Sequence, residues 1–512
     1  MMASGDDDAL VLVDPRTGGG VGDLPCTPVA AIASQVAAAR VAGALWAARP
    51  LLDRMGVVRA LGTALLARGP DLVAVLGAEI GKPAGEAWTS EVVTLGELFE
   101  HWLGVIEDEL EPRALDLNPV NYPGKRVEVV PEPLGVLALI MPWNYPVHLP
   151  MRTIVPALLA GNAVVFKPSE HAARCGALLA EVFALVLPPN LVVTVQGGPP
   201  QGAAVIAAGV DKVVFTGSVA GGRAVARQAA DLLIPTALEL GSKDAAIVLH
   251  DAKLGRAVEG VLWGAFHNAG QDCASVERAL VDRRIVGPFT DALVARAKEL
   301  RLGDDIGPLI NARAVARVHA QVLDAVARGA TLLCGGQPVE GGFFYPATVL
   351  TGVPTDCPLW TEETFGPVLP IAAFDGEDQA VAMADDSQYG LCVSVWTKDV
   401  ARGEALARRV RCGVSYVNNC CFSGPMGGAS WGGRKQSGYG VTGSAFGLHG
   451  LVQPRTVVVD RFFGQKELWW YPYTPALTTM AEGLVELGRS GGARLTGLRK
   501  MLLGLFGRWK TS

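Results

Sequence analysis

The sequence predicts an α/β fold built on a doubly wound parallel sheet, joined by a second α/β domain and a small β arm. Three observations carry that expectation. Between about residues 134 and 240, short continuous apolar runs alternate with helix-forming stretches, the rhythm of parallel strands covered by helices on both faces. Those runs end in turns rich in Gly, Pro and Asn, at the strand edge where open sheets of this class gather ligands. And 512 residues, half of them hydrophobic and only 18% charged, exceed what one core can organise, so two or three domains are expected.

Composition narrows the function classes. A net charge of -6 and a pI near 5.8 give no reason to expect a nucleic-acid partner, since such binders show a basic domain or stripe. The nine cysteines, at 26, 175, 273, 334, 357, 392, 412, 420 and 421, show no paired framework, which suits a reducing cytoplasm. No CxxC or HExxH spacing occurs among them and the seven histidines, so no metal is expected. Met1 to Leu10 is acidic and lacks the apolar core of a secretory signal. No uninterrupted apolar run reaches the roughly 18 residues that a membrane span needs.

Taken in order, Val29 to Ala67, Leu72 to Glu79 and Ala87 to Glu109 read as helices. Arg126 to Val130 alternates as a strand and is interrupted by Pro131-Glu132-Pro133; with no helix beside it, it reads as an exposed arm that pairs with a partner. Gly135 to Met141 is a buried strand that delivers Pro142-Trp143-Asn144-Tyr145-Pro146, which alone would pass as an ordinary Asn turn. Ala163 to Phe166 then delivers Lys167 and Glu170. An ammonium and a carboxylate there could bond the hydroxyls of an adenosine ribose, or form no more than a surface ion pair. Lys212 to Phe215, a turn carrying Gly217, Ser218 and Gly222, and a helix from Arg223 to Leu233 make a weak anion-site signal at a helix N-terminus.

Two stretches carry chemistry. In Leu238-Glu239-Leu240-Gly241-Ser242, a carboxylate sits inside an apolar segment, where burial raises its pKa and suits it to general-base work; a strand-end Glu is the plainer alternative. Asn268-Ala269-Gly270-Gln271-Asp272-Cys273 places a cysteine behind a glycine-containing turn after a helix from Lys253 to His267. It is a nucleophile if the fold supplies a base and amide donors, and a buried structural thiol otherwise. Beyond it, Asp282 to Leu302 and Asn311 to Gly329 read as surface helices of the second domain. Glu362 to Val368 reads as an acidic and aromatic loop, Gly413 to Asn419 as a strand and turn, and Gly427 to Gly450 as a glycine-rich loop. Arg455 to Asp460 is a late strand able to pair with the arm.

In that order, from roughly residue 10 to 460, these pieces resemble the NAD(P)-dependent aldehyde dehydrogenase superfamily. The resemblance implies Cys273 as nucleophile in a Gly-Gln-x-Cys pattern, Glu239 as general base and Asn144 as oxyanion donor. It implies NAD, with NADP as the alternative, held by Trp143, Lys167, Glu170, Gly217, Ser218 and Gly222, with Glu363 and Phe365 at the nicotinamide end. Tyr145, Arg152, Phe266, His267, Asp272 and Phe422 should lie near the substrate tunnel, where Asp272 is expected to disfavour aldehydes bearing a second carboxylate. The implied domains are 1–115 with 134–240 for the dinucleotide, 241–445 for catalysis, 116–133 with 446–462 as an oligomerisation arm, and 463–512 as a tail. Gly241-Ser242 stands where the family has Gly-Gly, and Val441-Thr442 where it has Arg-Glu.

The expected activity is oxidation of a hydrophobic aldehyde to its acid in a cytoplasmic homodimer or homotetramer. A semialdehyde dehydrogenase, or a non-catalytic membrane-associated scaffold, is the alternative. The tail adds Leu468 to Tyr473, an aromatic cluster, and a stretch from Arg489 to Ser512 with six basic residues and no acidic one among leucines. Such a stretch reads either as a peripheral membrane contact or as a helix packed on protein.

Overall fold

The computed structural model describes residues 9–119, 121–461, 467, 469–489 and 492–509, the side chains of Arg508 and Trp509 excepted. Met1 to Asp8 of the acidic N-terminus, Leu468 of the aromatic cluster and Lys510 to Ser512 of the basic tail lie outside the described residues. The chain forms two compact units, residues 1–111 with 131–454, and 112–130 with 455–512.

The first unit holds the parallel sheet. Its strands lie in the order Gly438–Tyr439, Thr236–Glu239, Lys212–Thr216, Val136–Ile140, Ala163–Lys167, Val192–Thr194. All are parallel except the first, which pairs antiparallel with Leu238 and Glu239. From Val136–Ile140 the chain winds outward through two strands, then returns to place Lys212–Thr216 on the other side. That reversal opens a crevice between the ends of the two central strands, and the turns bearing Trp143-Asn144 and Gly217-Ser218 leave from there. Val29–Ala47 is, among the described residues, one helix long and apolar enough to cross a membrane. It is a core helix here: Gly43 lies against Ala163, and Trp46 donates its indole N–H to the Leu158 carbonyl.

A second sheet in the same unit has seven strands, in the order Thr331–Cys334, Thr348–Thr351, Val368–Phe374, Arg278–Asp282, Ala245–Val248, Cys392–Trp396, Val414–Val417. Only Thr331–Cys334 runs antiparallel. Every residue of Ala245–Val248, Arg278–Asp282 and Cys392–Trp396 is buried. A strand covered on both faces loses the alternation that would announce it.

Several expected boundaries shift. The helix expected from Val29 to Ala67 divides at Pro50 into Val29–Ala47 and Leu51–Ala67, because proline cannot donate to the preceding turn. The one expected from Ala87 loosens into a π-turn over Trp88–Val92 before continuing as Val93–Glu109. The strand Lys125–Pro133 runs through both prolines. Its neighbour Arg113–Ala114 reaches only as far as Glu128 and Val129, so the missing N–H groups break no ladder bond on that side. The glycine-rich stretch is ordered rather than a plain connection, with two short strands and a helix, Ser444–His449.

The second unit carries most of the three-stranded sheet Val452–Asp460, Lys125–Pro133, Arg113–Ala114, so the late strand does pair with the arm. Lys125 ties it, with ion pairs to Asp460 at 2.7 Å and to Glu467. Two helices follow, Pro475–Leu487 and Ala493–Trp509.

Candidate active site

Cys273 is placed by a strained turn. After the helix Leu254–Phe266, three consecutive residues take left-handed backbone: Asn268 at φ 50°, Ala269 at 55° and Gly270 at 68°. That conformation costs a non-glycine residue roughly 1–2 kcal/mol, so its surroundings must fix it. They do. Gln271 donates to the carbonyls of Asn268 and Pro308, at 3.1 and 3.2 Å, and accepts from the Ile310 N–H at 2.9 Å. A Cβ on Gly270 would run into the carbonyl of Gly366.

Asn144 is braced from two sides. Its amide donates to the Gln271 carbonyl at 3.0 Å, and its own carbonyl accepts from Asn268 at 3.2 Å and from the Lys82 ammonium at 2.8 Å. Lys82 and its partner Glu91, 3.0 Å away, are fully buried. The other Glu91 oxygen accepts the N–H groups of Val147 and His148, at 3.2 and 2.8 Å, so the pair fixes the Asn144 carbonyl and the backbone that follows it. Glu91 sits on the π-turn, a distortion that recurs at functional sites. Sequence reading missed both residues, although a carboxylate inside an apolar helical stretch was a usable signal. Replacing Lys82 with methionine is expected to lower kcat about a hundredfold, the scale of a misplacement near 1 Å. KM should change far less and K82R should restore part of the rate; steady-state kinetics beside a melting curve check it.

Glu239 ends its strand almost fully buried, and neither carboxylate oxygen has a hydrogen-bond partner. Burial pushes its pKa well above the usual carboxyl range, with the Arg152 guanidinium opposing. Cys273 keeps part of its surface open, but burial, followed by the charges of Asp272, Glu239 and Glu363, drives its thiol pKa well above the ordinary value. Burial thus disfavours the charged form of both groups in the free site.

Asp272 is not the bare carboxylate that the sequence suggested. It accepts from the His267 imidazole at 2.8 Å, the Tyr145 hydroxyl at 3.1 Å, the Ala274 N–H at 2.9 Å and the Cys273 thiol at 3.6 Å. The other imidazole nitrogen lies 3.0 Å from the Trp263 carbonyl, so both nitrogens face acceptors. Burial opposes charge on both groups, but their mutual hydrogen bond and charge attraction, with the neighbouring groups, together outweigh it, raising the pKa of His267 and lowering that of Asp272. The Asp272 carboxylate thus lies buried with an imidazole nitrogen 2.8 Å from it. Cys421, remote in sequence, brings its sulfur within 4.8 Å of ligand atoms on these two residues, a juxtaposition no local spacing could reveal.

The remaining tunnel residues separate. Phe266 is buried and lines a cavity of about 380 Å³ with His267 and Trp263. Arg152 turns its guanidinium into the glycine-rich loop, donating to the carbonyls of Gly424, Met426, Ala429 and Thr442. Phe422 is exposed.

The crevice holds two adjoining cavities, of about 530 and 370 Å³, that share Trp143, His171, Thr216, Gly217 and Ser218. Lys167 and Glu170 line the larger, 3.3 Å apart. Cys273, Glu239, Asn144, Glu363 and Phe365 line the smaller. Ser218 caps the helix Val219–Asp231, accepting the Gly221 N–H at 3.1 Å. Gly222 lines neither cavity; it lets that helix approach Leu240. At the far end Glu363 accepts the Ser242 N–H at 2.9 Å, and a Cβ on Gly241 would lie within 2.5–2.8 Å of its carboxylate. Burial, then Glu277, pushes the Glu363 pKa to about 8. Phe365, left-handed at φ 51°, packs edge-on to Trp143 with ring centres 5.7 Å apart. Glu277, also missed from sequence, holds this loop by accepting the N–H groups of Thr364 and Phe365 and pairing with buried Lys243 at 2.5 Å. A long groove with a carboxylate and an ammonium at one end, a capped helix N-terminus in the middle and a thiol at the other fits an extended dinucleotide.

An α/β enzyme with such a groove belongs among the dinucleotide-using oxidoreductases, and comparison with known proteins makes the class specific. The model of the aldehyde dehydrogenase family matches residues 2–457, and the chain belongs to that family. It is 36% identical to a 4,4'-diapolycopene aldehyde oxidase from Methylomonas sp, over 91% of this chain and 88% of that protein. It is 34% identical to a chloroplastic betaine aldehyde dehydrogenase of Beta vulgaris, over 90% and 95%. Among solved structures, lactaldehyde dehydrogenase from Escherichia coli superposes with a TM-score of 0.84 at 31% identity, covering 89% of this chain and 96% of that one. PnpE in complex with nicotinamide adenine dinucleotide gives 0.84 at 30%, covering 88% and 94%. The protein is an aldehyde-oxidising oxidoreductase of a family that uses NAD(P).

Proposed function

We propose that this protein oxidises hydrophobic aldehydes, long-chain aliphatic or aromatic, to carboxylic acids with NAD, through a covalent intermediate on Cys273. One observation carries the reading: a part-open cysteine shares a cavity with a buried carboxylate that has no partner, and that cavity adjoins a dinucleotide-sized groove. The Cys273 thiol, part-open to solvent, gives its proton to water, and the thiolate sulfur adds to the aldehyde carbonyl. The oxyanion accepts from the Cys273 N–H and from the Asn144 amide hydrogen not held by Gln271. The groove lined by Trp143, Lys167, Glu170 and Ser218 would hold NAD, which would supply the hydride acceptor needed to take the adduct to a thioester. Glu239 as carboxylate takes a proton from water, the resulting hydroxide attacks the thioester, and the Cys273 thiolate departs from the free acid.

The ribose end favours NAD. Burial raises the Glu170 pKa, but the charge and hydrogen bond of Lys167, the His171 charge and a backbone hydrogen bond together lower it below the ordinary value, and a carboxylate there would repel a 2'-phosphate. Arg152 bears on the substrate: its guanidinium is engaged by backbone carbonyls and offers no free fork to a semialdehyde's carboxylate. The retained Glu239 favours water over a thiol acceptor such as CoA, and a scaffold descendant would have no need of the Cys273, Glu239 and Asn144 set. The arm sheet is suited to homo-oligomer pairing, and the cysteine usage to a cytoplasmic enzyme.

An NADH-formation screen over hexanal, benzaldehyde, succinic semialdehyde and betaine aldehyde tests the substrate class. Expected is a kcat/KM at least about tenfold higher for the first two, a difference of about 1.4 kcal/mol in transition-state binding. Equal values for hexanal and the semialdehyde would contradict the hydrophobic preference while leaving the reaction class intact.

A further inference from the structure

The C-terminal hairpin is packed the opposite way from a helix pair in water. Helices Pro475–Leu487 and Ala493–Trp509 meet through glycine. A Cβ on Gly497 would lie 2.8 Å from the Gly483 carbonyl oxygen, one on Gly504 would lie 2.6 Å from that of Ala476, and one on Gly483 would meet the backbone of Met501. The large apolar side chains point outward. Leu495, Leu498, Leu502 and Phe506 recur at helical spacing on the face away from that seam, with Leu495 78% and Phe506 61% exposed. Small residues inside and leucines outside is the arrangement of helices packed in lipid, where apolar outer surface carries no penalty.

Charge selects what covers this face. From Thr474 to Ser512, six basic residues stand against two acidic ones, in a chain whose net charge is -6. Both acidic residues, Glu482 and Glu486, are taken by Lys500, at 3.3 and 2.6 Å. Arg499 falls among the exposed leucines by helical geometry, so a second copy of the same face would bring arginine against arginine. An anionic lipid surface has the complementary charge. Exposed Trp469, Trp470, Tyr471 and Tyr473 precede the hairpin, and such rings settle at the headgroup level. The longer helix has 17 residues, about 25 Å of rise, which is short of the roughly 30 Å hydrocarbon core.

We propose that this hairpin docks the protein on anionic membranes, lying in the interface with its leucine and phenylalanine face turned into the acyl region and its Lys500 ion pairs toward water. It would hold the enzyme where apolar aldehydes partition, but it does not depend on which aldehyde the site takes.

Flotation of the full-length protein with vesicles of phosphatidylcholine containing one-third phosphatidylglycerol tests it. Expected is a bound fraction at least about tenfold above that on phosphatidylcholine alone. The double variant L502E/F506E should lose about tenfold or more, with hexanal turnover and the mass in lipid-free solution unchanged. Arg499→Gln, which leaves the packing intact, should give a smaller loss confined to anionic vesicles. Absence of flotation, equal flotation of the double variant, or a fall in its oligomeric mass without lipid would overturn the proposal, the last by showing that another copy covers this face.

Discussion

Cys273→Ser is expected to abolish NADH formation from every aldehyde, by a factor of about ten thousand or more. The change swaps one atom in a partly open site, so the melting temperature should stay within a few degrees of the parent's. The loss is chemical. A serine hydroxyl is far less acidic than a thiol, and burial already opposes an anion at this position. The same burial makes a second outcome of this experiment specific. Because the thiol pKa is raised, Cys273 should alkylate slowly with iodoacetamide at neutral pH and faster as pH rises, with the serine variant losing that phase.

Glu239→Gln should separate the two halves of the reaction. Acylation needs no base at Glu239 once the thiolate has formed, whereas hydrolysis does, so the variant should release about one equivalent of NADH per site and then stall. Steady-state kcat should fall by about a hundredfold to ten-thousandfold. In the parent, kcat should climb as pH rises and the elevated carboxyl pKa is passed; in the variant that limb should disappear. Stability should move the other way. A carboxyl whose folded pKa is raised contributes stability that is complete below its unfolded pKa and is lost as pH rises toward the folded value. Glutamine stays neutral, so E239Q should melt higher than the parent at neutral pH, with the gap widening toward alkaline pH. Stopped-flow fluorescence for the burst and calorimetry across pH check both signs.

The parts of the fold legible in the sequence are those with local physical causes. The apolar runs Val136–Ile140, Ala163–Lys167 and Lys212–Thr216 read as strands because they are short, continuous and bounded by glycine, proline and asparagine. Order along the chain was enough to suggest the family, because Trp143-Asn144, Glu239 and Cys273 each carry a recognisable neighbourhood. Groups whose meaning depends on distant partners were hidden. Lys82 and Glu91 look like solvated charges until Asn144 is folded against them, 2.8 Å from the Lys82 ammonium. Asp272 looked like a free carboxylate because the imidazole that pairs with it returns only when three left-handed residues double the chain back. Arg152 reads as a tunnel residue because the carbonyls that hold it lie nearly three hundred residues on. The hairpin read as basic and amphipathic, but that its glycines face inward and its leucines outward depends on how two helices meet.

The most direct test is peptide mass spectrometry on Glu239→Gln quenched after one burst with NAD and hexanal. One hexanoyl group per chain on the peptide containing Cys273, removed by hydroxylamine, is the expected result. NADH release with no acyl group retained, or an acyl group on any residue other than Cys273, would contradict it.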